Sequence, residues 1–112
     1  MARLALLVAL FLVGAPAASA VYKPFRTPSG NIGCYYSTGP TFLRCDTAYD
    51  TSFTGKRACP NGDYGRAFGM TPRGHARALC VGDTALNRQA PALAYGHSRS
   101  FGPTPARHAP AG

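Results

Sequence analysis

Three histidines, His75, His97 and His108, are the side chains of this chain able to exchange a proton near neutral pH. Only His75 has neighbours that would put the proton to use. Arg73 and Arg77 flank it, and a general base beside phosphate-holding arginines is one way to cleave RNA. A small hydrolase of ribonuclease type, with His75 as its base, is therefore the catalytic reading of the sequence. It ranks below a solvated histidine on a basic turn, because such a site needs a second, oriented acid or base. The acids are Asp46, Asp50, Asp63 and Asp83, with no glutamate at all. Asp63 and Asp83 read as turn formers. The chain contains no G-x-S-x-G, no H-E-x-x-H, no phosphate-binding loop and no calcium-loop spacing. Nothing in it calls for a cofactor.

The remaining reactive residues are Cys34, Cys45, Cys59 and Cys80, separated by 10, 13 and 20 residues. Zinc chelation prefers close cysteine pairs, and none is present. An even number of well-spaced cysteines reads instead as a disulfide framework, which also removes the thiol as a nucleophile. No metal site is expected. Four cysteines allow three connectivities, and the hairpin argument below favours Cys34 with Cys45, leaving Cys59 with Cys80.

Binding is the other chemistry open to the chain. Twelve Lys/Arg against four Asp give a formal charge of +8, and cationic exported proteins associate with polyanions. The arginines are spread out rather than blocked, so much of this charge reads as ordinary surface solvation. The candidate binding residues are Tyr35, Arg44, Arg66, Arg73 and Arg77, on basic, aromatic-bearing faces. An anionic cell-envelope polymer or an extracellular protein is the partner they imply. A non-catalytic binding or envelope-associated domain is thus the first functional expectation, ahead of the hydrolase.

These residues must be held by a small domain. Residues 1–20 have the form of a signal peptide: Arg3 in a short basic start, an apolar run over 4–13, and Ala18-Ser19-Ala20 at the cleavage point. Secretion, with no integral membrane segment left after cleavage, is the expected localisation. The domain then occupies residues 21–101, with a Pro/Ala-rich tail expected to be disordered over 102–112. Bulky apolar residues are scattered singly, so the core is small and needs covalent staples.

The expected fold is mainly β: disulfide-stapled antiparallel hairpins forming a sheet or a sandwich-like domain behind a cleaved signal helix. Residues 21–31 read as an extended lead-in, because Pro24 and Pro28 restrict the chain there. Strands follow over 32–37 and 41–46, joined by Gly39-Pro40. With Cys34 opposite Cys45, Tyr36 faces Leu43 and Ile32 faces Thr47. Ile32, Cys34, Tyr36, Leu43 and Cys45 then form a core face, and Gly33, Tyr35, Arg44 and Asp46 a solvent face. Residues 47–62 form a long surface connection, and 63–71 with 75–82 a second hairpin turned at Pro72-Arg73-Gly74. A short helix over 73–81 is its rival. Residues 86–96 are expected as an extended crossing segment.

Read in order, TPSGNIGC (27–34), Arg44-Cys45-Asp46, Cys59, Asp63-Tyr64-Gly65, Gly74, Cys80, Gly82-Asp83-Thr84 and Leu93-x-Tyr95-Gly96 resemble a family of small secreted actinobacterial proteins of unknown function. The resemblance spans roughly residues 25–102. It implies a small, disulfide-bonded, β-rich exported domain and no particular reaction. Members of that family continue past the Tyr-Gly motif into a segment with two further cysteines, whereas this chain runs into PTPARHAPAG. The expectation is a truncation or frameshift near Gly102, which would leave the domain incomplete at its C-terminus. A cysteine-bearing continuation in one frame of the downstream DNA is its test.

Overall fold

The computed structural model describes residues 20–101. The expected signal peptide, apart from Ala20, and the expected tail lie outside the described residues. Between them the chain forms a five-stranded antiparallel meander in the order β1-β2-β3-β4-β5. The strands are β1 Tyr22–Arg26, β2 Ile32–Ser37, β3 Phe42–Thr47, β4 Asp63–Met70 and β5 Arg77–Val81. The described residues contain no helix, so 73–81 is a turn and a strand rather than the helical alternative.

The central hairpin has the expected register. Cys34 pairs with Cys45, Tyr36 with Leu43 and Ile32 with Thr47. Close antiparallel pairing brings the two cysteine Cα atoms to 4.0 Å, and they are bridged. The second bridge joins Cys59 to Cys80 across a Cα separation of 5.6 Å. It ties the end of the long connection to β5.

Residues 22–26 are a strand, not only a lead-in. Pro24 is tolerated there because β1 lies at the edge of the sheet, where a missing N–H breaks no ladder between two neighbours. The turn from β1 to β2 is closed by Gly30 N donating to Thr27 O (2.9 Å) and Thr27 N donating to Ile32 O (3.0 Å).

Irregular segments cover the sheet on both faces. On one face residues 83–86 lie over Gly33, Arg44 and Asp46. A side chain at Gly33 would stand 2.8 Å from the Leu86 Cα and 2.9 Å from the Ala85 carbonyl oxygen, so only glycine admits this approach. On the other face Phe101 stacks on Phe25 and Tyr36, with ring centroids 5.5 and 4.8 Å apart. Phe53, from the long connection, meets Phe68 edge-on. Among the described residues the buried apolar side chains are small, namely Cys34, Ala67 and Ala90. Such a core stabilises little by itself, which is why two bridges and a polar cluster matter here.

This arrangement corrects the expected division into core and solvent faces. Ile32, placed on the core face, is exposed, while Asp46, placed on the solvent face, is the largest fully buried side chain among the described residues. Alternation within the hairpin was sound. What reversed the outcome is the covering segment, which descends on the polar face.

Candidate functional site

Arg44 and Asp46 project from the same face of β3, two residues apart. Arg44 Nε donates to Asp46 Oδ1 (2.7 Å) and Nη2 to Oδ2 (2.9 Å), a two-pronged pair of buried side chains. Nη2 also reaches Asp83, at Oδ1 (3.0 Å) and at the carbonyl oxygen (3.2 Å). Asp46 Oδ2 in turn accepts from Ala85 N at 3.1 Å. The hydrogen bond with Asp46 raises the Arg44 pKa still further above its ordinary value; burial opposes this, and Asp83 adds to it. No buried side-chain polar atom among the described residues lacks a partner. A buried charge pair satisfied this fully is an architectural joint between β3 and the segment after β5.

Arg44 therefore does not belong to a binding surface. Its side chain is 8 % exposed and committed to two aspartates. Of the other candidates, Arg66 is exposed on β4 and paired with Asp50 of the long connection. That contact raises the Arg66 pKa and lowers the Asp50 pKa, in both cases first through the hydrogen bond. Tyr35 packs against Tyr22, centroids 5.1 Å apart. Arg73 and Arg77 are exposed around the turn between β4 and β5, with no carboxylate within 4.0 Å among the described residues. The candidates thus form no single patch.

His75 stands in that same turn and is exposed. Among the described residues it makes no hydrogen bond to an acid or base that could orient it. No three residues of His, Cys, Asp or Glu gather as metal ligands among the described residues.

The sequence motifs meet in space in pairs. Arg44-Cys45-Asp46 joins Gly82-Asp83-Thr84 through the charge cluster just described. The 27–31 turn joins Tyr95-Gly96, since Ser29 N donates to the Tyr95 hydroxyl at 3.3 Å. Asp63-Tyr64-Gly65 joins the long connection, where Gly65 O accepts from Thr51 N (2.9 Å) and Thr51 Oγ1 (2.6 Å). Gly65 has φ 110°, a backbone geometry that favours glycine. Each motif is one half of a tertiary joint.

The described residues also enclose concave regions. An apolar groove of about 400 Å³ runs between the β2–β3 and β4–β5 turns, with Tyr36, Leu43, Met70, Pro72 and Phe101 along it. A polar cleft lies at the opposite end of the sheet, beside the β1–β2 turn. The chain matches no protein-family model, no curated protein and no solved structure.

Proposed function

We propose that this is an exported, non-catalytic domain that binds an anionic polymer of the cell envelope through its basic surface. The observation that carries the reading is the pairing of charges. Ten Lys and Arg lie in residues 20–101, and only Arg44 and Arg66 meet a carboxylate. Those two contacts occupy three of the four aspartates, leaving eight cations without a partner carboxylate among the described residues. Uncompensated positive charge spread over a small domain attracts polyanions at long range.

Export is the compartment this reading needs, and the two disulfides are compatible with it. The N-terminal signal pattern supplies the route. The ordered motifs support placing the chain beside the small secreted actinobacterial proteins it resembles. The experiment is retention of the oxidised protein on immobilised heparin or on a cell-envelope preparation. Retention should fade between low and moderate salt as the Debye length shortens from about 30 Å to about 8 Å. Retention that salt does not change, or none at low salt, would reject the reading.

A further inference from the structure

The polar cleft beside the β1–β2 turn has a volume of about 540 Å³ and holds two arginines, Arg26 and Arg88, with Ser29, Asn31 and Asn87 around them and Leu86 at its side. No acidic residue lines it. Neither arginine makes an ion pair among the described residues.

Arg26 is fixed in place by carbonyl groups. Its Nε donates to Ala90 O (3.0 Å), and its Nη1 to Thr27 O (3.2 Å) and Pro28 O (3.4 Å). Its backbone is held on both sides, Arg26 N donating to Pro91 O (3.0 Å) and Arg26 O accepting from Leu93 N (2.7 Å). Carbonyls orient a guanidinium without neutralising it. Nη2 has no protein partner among the described residues, and since none of their buried polar side-chain atoms goes unpaired, it faces solvent. Arg88 is exposed. Asn87 spends its Oδ1 on Gln89 N (2.9 Å), which leaves its amide N–H₂ as a donor.

A half-buried guanidinium held by neutral groups, a second cation and spare amide donors, with no acid in the lining, make a site for oxyanions. We propose that this cleft is where the polymer's charged groups are bound, one or two repeat units at a time, with Arg26 as the fixed anchor and Arg88 as the second clamp. This inference rests on the polyanion-binding reading above and gives it a location. The volume lies within the range of small-ligand sites. Planar guanidinium donors suit both carboxylate and phosphate oxygens, so the ligand is defined by that shared chemistry.

The test uses the full oxidised chain and two probes, inorganic polyphosphate and hyaluronate, titrated at low salt. Arg88→Gln should weaken binding by about tenfold, the worth of one charge-assisted contact. Arg73→Gln, which changes the net charge equally but lies in the β4–β5 turn, should weaken it less than about twofold. Side-chain NMR signals of Arg26 Nε and the Asn87 amide should shift saturably in the wild type. Response to polyphosphate alone assigns phosphate as the ligand group, and response to hyaluronate alone assigns carboxylate. Equal losses in the two variants would overturn the cleft and leave general polyanion binding standing. A wild-type chain that binds neither probe would overturn both.

Discussion

Asp46 is the residue whose loss the domain should feel most. It neutralises a buried arginine and holds the backbone N–H of Ala85, so Asp46→Asn leaves Arg44 charged and underpaired. Breaking a buried pair from one side costs about 3–5 kcal/mol, a large part of a small domain's stability. Asp83→Asn removes a partner whose side chain is 77 % exposed, and should cost no more than about 1 kcal/mol. Urea denaturation of the two variants separates them. The exposed Asp50–Arg66 pair gives a pH signature instead. Its contact lowers the folded pKa of Asp50, so the stability it adds is present above the unfolded value, about 3.9. That stability is lost as pH falls through the folded value. The difference between wild type and Asp50→Asn should therefore close in acid and be widest near neutrality, in denaturation midpoints followed against pH. The sequence shows Arg44 and Asp46 sharing a face, and that much is legible from strand period alone. Whether the face is wet depends on Asp83 and Ala85, 39 residues further on, and no local pattern carries that distance. The signal available was charge arithmetic: opposite charges at i and i+2 can bury each other.

At the scale of elements, the hairpin is the part most plainly written in the chain. Two cysteines placed symmetrically about Gly39-Pro40 fix the register, since slipping by one residue would move one of them to the opposite face. Removing that bridge with the double change Cys34→Ser and Cys45→Ser should cost about 3 kcal/mol by the chain-entropy estimate, without changing the strand order. Thermal unfolding of the purified variant checks it. The first strand was harder to see because its two pairing requirements pull apart. Pro24 argues against a ladder, yet Tyr22 packs on Tyr35 of β2 and Phe25 on Phe101. The covering segments have no periodicity, so no local pattern marks them. Gly33 is where one of them leaves a test. Gly33→Ala pushes residues 85 and 86 off the sheet, and should destabilise by about 1–3 kcal/mol as overpacking does. It should also raise hydrogen exchange at Ala85 N, because the Asp46 contact is stretched with it. Loss of stability without that exchange would mean the segment yields elsewhere.

For the whole molecule, the sheet's two edges differ in how they are covered. Part of β1 is closed, because Arg26 exchanges backbone hydrogen bonds with Pro91 and Leu93. Among the described residues β5 has a strand partner only on the β4 side, and outward amides on such an edge offer a template for another chain. Arg73, His75 and Arg77 stand at its start, and the chain's formal charge is +8. Two copies approaching edge to edge therefore repel one another. On the proposed reading the same charge would attract a polyanion, and attraction and self-repulsion should both fade with salt. At about 1 M salt the Debye length falls to about 3 Å, and the repulsion no longer reaches across the gap. Sedimentation equilibrium should then give a monomer at low salt and self-association at high salt, with the amides of β5 gaining protection from hydrogen exchange as the mass rises. If the mass rises while β5 exchanges as before, the copies meet elsewhere, and the apolar groove beside Phe101 becomes the surface to mutate.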